Sequence, residues 1–193
     1  MADWDNPRII TVTGINDSIA DGEQAYLIDL AVTDGEAAYL ALTIDSIPAI
    51  NSDDDTVGAT VSPRSLIISE TEPLNPNGGM QLCPKNLADG QTFPQCSSFR
   101  VRLNTQPTAV VTFPVTNSDP IQMSVSRTTL QFSPADWATN QSVTVCGVDD
   151  GIDDSLATAM VMIGLGVSSD VGYSGYNPPD VGVTIVENCD KPL

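Results

Sequence analysis

Residues 135–155 read ADWATNQSVTVCGVDDGIDDS, and residues 2–22 read ADWDNPRIITVTGINDSIADG. The two stretches align without a gap. Trp4 falls on Trp137, Gly14 on Gly147, Asp17 on Asp150, Ile19 on Ile152 and Asp21 on Asp154. Each runs on into an apolar, strand-like stretch, QAYLIDLAVT at 24–33 and ATAMVMIGLGV at 157–167. Each then passes a Tyr-containing loop and closes on acids, SDDD at 52–55 and ENCD at 187–190. Internal self-similarity marks a repeated structural unit, so it sets the organisation before any single element is assigned.

Outward from the second copy, residues 57–134 supply further strand-like stretches at about 58–69, 98–104, 108–116 and 121–132. The first copy has no such stretches ahead of it in the chain. The expected fold is therefore all-β: an antiparallel, immunoglobulin-like β-sandwich. A partial domain over residues 1–55, the C-terminal half of a repeat, precedes a complete one over residues 56–193. Short strands punctuated by turn residues fit that architecture. The apolar residues are mostly Val, Ile, Leu and Ala, the 14 Gly and 14 Pro are spread along the chain, and no stretch holds a helical period over ten residues. Residues 74–97, LNPNGGMQLCPKNLADGQTFPQCS, interrupt the complete domain as a Gly-, Pro- and Asn-rich insertion. Such a loop is a tolerated insertion or a recognition element. The equal placement of Trp4 and Trp137 favours core or edge packing over sugar stacking.

Charge narrows the partners. Twenty-five acids face seven bases, a net charge of −18. Phosphate binding needs Lys and Arg clusters, so nucleic acid is not expected, and anionic membrane surfaces are disfavoured likewise. Self-repulsion of this size weighs on the compact state, and divalent cations would relieve it. The chain has no histidine, which excludes Ser-His-Asp and Cys-His catalysis and mixed Cys/His zinc sites. Paired carboxylates could still hydrolyse glycosides, but these acids lie in repeat-related turns rather than an evident cleft, so no enzyme is expected. The four cysteines, Cys83, Cys96, Cys146 and Cys189, include no C-x-x-C pair. Two disulfides are the expectation, and with them an oxidising, extracellular or cell-surface setting. Of the three possible pairings, Cys83–Cys96 with Cys146–Cys189 is favoured, because the first closes a short loop. The N-terminus lacks the basic start and apolar run of a signal peptide, and no run reaches transmembrane length.

The acids cluster. In the second copy they are Glu70, then Asp149, Asp150, Asp153 and Asp154, then Glu187 and Asp190; in the first they are Asp17, Asp21, Asp53, Asp54 and Asp55. Calcium takes six to eight oxygen ligands, which carboxylates and carbonyls on loops can supply. The spacing is not that of an EF-hand loop. Recurrence at matching places in both copies points to calcium more than either loop does alone.

The run LQFSPADWATNQSVTVCGVDDGIDDSLATAMVMIGLGV, residues 130–167, resembles the signature of Calx-β domains, calcium-binding sandwiches that also occur as tandem arrays on bacterial surface proteins. Leu130 and Phe132, Val143 and Val145, the pair Asp149–Asp150, Asp154 and the early Glu70 occupy the family's places. The resemblance implies two packed sheets with calcium held in loops at one end. It implies Glu70, Asp149, Asp150, Asp154 and the Ile152 carbonyl as ligands, with Asp190 beside them. The closing acids fit the family's Asp run in the first copy, Asp53 to Asp55, and depart from it in the second. By this analogy Asp53–Asp55 lie where one repeat meets the next, and an ion there would stiffen the joint. The expected role is a structural module of a surface protein or filament. Its partial N-terminal domain is completed by a neighbouring repeat or by strands from another copy, in head-to-tail assembly. The alternative is an adhesin binding a ligand through the 74–97 loop.

Overall fold

The computed structural model describes residues 6–70, 93–152 and 156–186. Trp4, Cys83, Cys189, Asp153, Asp154, Glu187, Asp190 and most of the 74–97 insertion lie outside these residues. The chain divides into two compact units, residues 1–55 and 56–193.

The second unit is a β-sandwich. Its first sheet holds β3 (Ala59–Ser62), β5 (Cys96–Leu103), β9 (Gln141–Gly147) and β7 (Met123–Val125), in that order. Its second holds β4 (Ser65–Ser69), β11 (Val181–Val186), β10 (Leu156–Ile163), β6 (Val111–Asn117) and β8 (Thr129–Phe132). All neighbours pair antiparallel except β4 and β11, which run parallel. The period-2 alternation explains the packing. Phe99, Val101, Leu103, Val143 and Val145 point in from one sheet, and Leu66, Ile68, Phe113, Phe132, Val161, Val183 and Ile185 point in from the other. Fully burying a side chain of this kind stabilises by roughly 1.5–3 kcal/mol. Trp137 is partly buried against the same core, and its carbonyl accepts the Leu103 N–H at 3.0 Å.

Two expected strands each divide between the sheets. The stretch 58–69 becomes β3 and β4, separated at Pro63, which has no N–H for a ladder. The stretch 121–132 becomes β7, which pairs with β9, and β8, which pairs with β6. Crossing from one sheet to the other lets a continuous apolar run serve both halves of the core. Residues 96 and 97, the end of the expected insertion, belong to β5.

The favoured disulfide pairing is overturned. Cys96 is bonded to Cys146, so neither Cys83–Cys96 nor Cys146–Cys189 forms. The reason is register: Cys96 and Cys146 stand directly opposite each other on neighbouring strands β5 and β9. Loop length, on which the expectation rested, carries no information about this strand pairing.

The first unit contains β1 (Gln24–Ile28) and β2 (Ile47–Asn51), paired antiparallel, and a four-residue helix α1 (Ala37–Leu40). Its ribbon corresponds through the repeat to β10 and β11. Residues 8–14, which match β9 in sequence, form no strand. In the second unit β9 hydrogen-bonds to β5 and β7, and the described residues of the first unit include no counterpart of either. The apolar stretch 24–33 is likewise strand only to residue 28. No described residue of this unit is buried, and Ile9 and Ile15 stand 92% and 82% exposed.

Candidate functional site

At one end of the sandwich four chain segments meet. β4 ends at Ser69, and Glu70 follows it. The Ser69 N–H donates to the Pro94 carbonyl at 3.0 Å, and the Glu70 N–H donates to the Val186 carbonyl at 3.1 Å. The end of β9 lies against them. A Cβ on Gly147 would come within 2.1 Å of the Ser69 carbonyl oxygen and 2.9 Å of the Glu70 Cα. Only a residue without a side chain permits that approach. It brings the loop carrying Asp149 and Asp150 beside Glu70, which is fully buried.

The loop is built on its own carboxylates. Asp149 Oδ1 accepts the Gly151 N–H at 3.0 Å, Asp150 Oδ1 accepts the Ile152 N–H at 2.9 Å, and Gly151 takes a positive φ of 75°. Gln122 holds it from the other side. Its side-chain amide donates to Asp150 Oδ2 at 3.0 Å, and its backbone carbonyl accepts the Val148 N–H at 2.9 Å. Gln122 is buried and was not among the expected site residues. Its only sequence signal is the turn SDPIQ, in which Asp119 accepts the N–H groups of Ile121 and Gln122. Ile152, expected to offer its carbonyl, is on the exposed part of the loop.

The first unit repeats part of this construction. Asp17, the counterpart of Asp150, accepts the Ile19 N–H at 2.8 Å in the same two-residue turn. Its closing acids gather more tightly. Carboxylate oxygens of Asp53, Asp54 and Asp55 all lie within 4.8 Å of one another, the one such acidic group among the described residues. Glu70, Asp149 and Asp150 do not form one. An open cavity of about 520 Å³ is lined by Asp17, Asp21, Asp53 and Asp55 together with Asn16 and Asn51.

The electrostatics of this cavity are uneven. Asp53 accepts N–H bonds from Asp55 at 2.8 Å and from Gly22 at 2.6 Å, and these hold its carboxyl below the usual carboxylate value. Asp55 is pushed the other way, first by desolvation and then by the charges of Asp54, Asp53 and Asp17. In the cavity wall, the Asn51 side-chain amide donates to the Ile15 carbonyl at 3.1 Å.

The donors fit a hard cation. Two oxygens each about 2.4 Å from one ion can stand at most about 4.8 Å apart, the span that Asp53–Asp55 respect. The cavity offers carboxylate and amide oxygens and no nitrogen or sulfur ligand of the kind zinc prefers. Of the expected ligands, the structure brings together Asp17, Asp21, Asp53 and Asp55 around one cavity with Asp54 beside them, and Glu70, Asp149 and Asp150 at one end of the sandwich.

No known family pattern matches the sequence, and no curated protein does. Solved structures do resemble the fold. The apo-form Calx CBD1 domain shares 12% identity over 70% of this chain and 100% of its own, with a TM-score of 0.45. CBD12 from CALX1.2 shares 13% over 67% of this chain and 44% of its own, with a TM-score of 0.42. The periplasmic chaperone SfaE shares 7% over 69% and 59%, with a TM-score of 0.41. At such values the likeness extends to folding alone.

Proposed function

We propose that this chain is a calcium-binding structural module of an extracellular or cell-surface protein, without catalytic activity. The observation that carries the reading is the convergence of Asp53, Asp54 and Asp55 within 4.8 Å beside Asp17 and Asp21, on a cavity with no Lys or Arg in its lining. Crowded carboxylates of this kind repel one another, and a divalent cation turns that repulsion into coordination. The recurrence of the Asp17 turn at Asp150 supports a second, related site at the Glu70 end, to which Asp154, the Ile152 carbonyl and Asp190 would add ligands. The Cys96–Cys146 bond supports an oxidising compartment. Among the described residues no helix is long and apolar enough to cross a membrane.

Residues 1–55 are, in this reading, the C-terminal half of a repeat that a neighbour completes. A ribbon whose two strands pair with no third strand among the described residues, and its exposed Val, Ile and Leu side chains, support it, because a two-stranded ribbon is marginal alone. A neighbour's strands on those edges would give head-to-tail order.

Thermal unfolding with calcium and with chelator tests the calcium reading. A ligand at 100 times its dissociation constant adds about 2.7 kcal/mol to the state that binds it. The expected result is a higher midpoint in calcium that Asp53→Asn with Asp55→Asn reduces. Identical midpoints at millimolar calcium would reject it.

A further inference from the structure

We propose that the Cys96–Cys146 disulfide is a redox control on the acidic loop of the sandwich. Opening it with a dithiol frees residues 147–152 and weakens cation binding at the Glu70 end. The cation-binding part rests on the function proposed above; the control of loop order does not.

The cross-link sits one residue from the contacts that shape the site. Beside Cys146, the Gly147 N–H donates to the Gln95 carbonyl at 2.9 Å, and the Gln95 side-chain amide returns a bond to the Gly147 carbonyl at 3.4 Å. Gln95 is the neighbour of Cys96. Gly147 is also the residue wedged against Ser69 and Glu70. The next residue, Val148, is held by Gln122, which in turn holds Asp150. The disulfide is thus the last covalent tie before the loop that carries Asp149 and Asp150.

Its position also makes it reachable. Cys96 is exposed and Cys146 is half-buried, while the core-facing residues near them on the same strands, Phe99 and Val145, are fully buried. Exposed disulfides are the ones open to thiol exchange. A thiolate of the dithiol attacks one sulfur, forming a mixed disulfide and releasing the other cysteine. The second thiol then displaces the first cysteine. Two electrons and two protons pass to the protein, and the dithiol leaves as its own disulfide.

Opening the bond need not open the sheet. β5 and β9 stay paired from Cys96 through Val101, and β3 and β7 flank them. The freed end is Gln95 and Gly147, where two hydrogen bonds and one close packing contact replace a covalent tie. A mere staple would act through the unfolded chain and lower stability without changing native loop order.

The test is native-state hydrogen exchange and calcium titration calorimetry on the full chain, wild type against Cys96→Ser with Cys146→Ser. Amides of Gly147, Val148, Gly151 and Ile152 should exchange at least tenfold faster in the variant, with those of β6 and β10 unchanged. Calcium affinity at the sandwich site should fall about tenfold, as when a group that orients metal ligands is lost. Equal exchange at those four amides, or a uniform increase across both sheets, overturns the proposal. If oxidised wild type binds no calcium, the calcium reading fails, and the exchange arm still decides the control of loop order. If the double variant does not fold, wild type reduced in its native state gives the same exchange comparison.

Discussion

Gly147→Ala is the most informative single change. A methyl group there would meet the Ser69 carbonyl oxygen at 2.1 Å and the Glu70 Cα at 2.9 Å, against ordinary van der Waals contact at 3.4 Å or more. Both obstacles are backbone, so no side chain can swing away. Gly147 closes β9, and Ser69 closes β4 with its N–H and hydroxyl bonded to the Pro94 and Phe93 carbonyls. One of these anchored segments must shift by more than 1 Å. Forcing an extra methyl into a packed site costs about 1–3 kcal/mol, and this contact belongs at the upper end. For a unit of this size that is a midpoint lower by roughly 6–10 °C. Gly182 is the control. It also lies inside a strand, but an added Cβ would find only the Arg64 carbonyl, at 3.9 Å. Gly182→Ala should be neutral or stabilise by about 0.4–1 kcal/mol through the unfolded chain. Differential scanning calorimetry of both variants in chelator decides it. Equal midpoints for the two variants would refute the claim that close backbone approach positions the acidic loop.

Other consequences follow from buried polar contacts. Asp170 is buried, which pushes its carboxyl up, but the N–H and hydroxyl of Thr108 and the N–H groups of Tyr173 and Gly172 outweigh this and hold it below the usual value. A folded pKa below the unfolded one gives stability that is present above about pH 4 and lost as pH falls through the folded value. Asp170→Asn should therefore cost about 1–3 kcal/mol near neutral pH and flatten the acid limb of a pH-stability profile; a parallel profile would count against it. The Tyr173 hydroxyl lies 2.8 Å from the Thr105 hydroxyl and accepts the Thr105 N–H at 3.2 Å, so Tyr173→Phe should cost about 1–3 kcal/mol in urea unfolding. Unchanged unfolding would show that water replaces those bonds. Non-reducing peptide mapping should recover a peptide pair joined through Cys96 and Cys146; one joining Cys83 to Cys96 would contradict the strand register.

Much of the sandwich was legible in the sequence, because alternating apolar residues such as Phe99, Val101 and Leu103 announce a strand with one face in the core. Sheet membership was not. Pro63 breaks the ladder locally, but nothing local says that the segments on its two sides join different sheets, and no such residue marks the passage from β7 to β8. The repeat picks out Asp17, Asp21, Asp53 and Asp55 in the sequence, and in the structure these four acids line one cavity. Gln122 was not legible, since its place beside Asp150 depends on the turn after β6 meeting the end of β9. The disulfide was misread for the same reason: Cys96 and Cys146 are neighbours only through register. The repeat itself carried only part of the way: residues 8–14 match β9 in sequence yet form no strand, because pairing depends on partner strands that a local pattern does not supply.

If the crowded acids Asp53, Asp54 and Asp55 hold calcium, the ion should be titratable. Isothermal titration calorimetry of the chelator-stripped chain tests it most directly. Calcium should bind saturably, with at least one equivalent lost in Asp53→Asn with Asp55→Asn, and magnesium should compete poorly, given the wider and more flexible coordination calcium accepts. No binding at millimolar calcium, or binding that the double variant leaves unchanged, would contradict it.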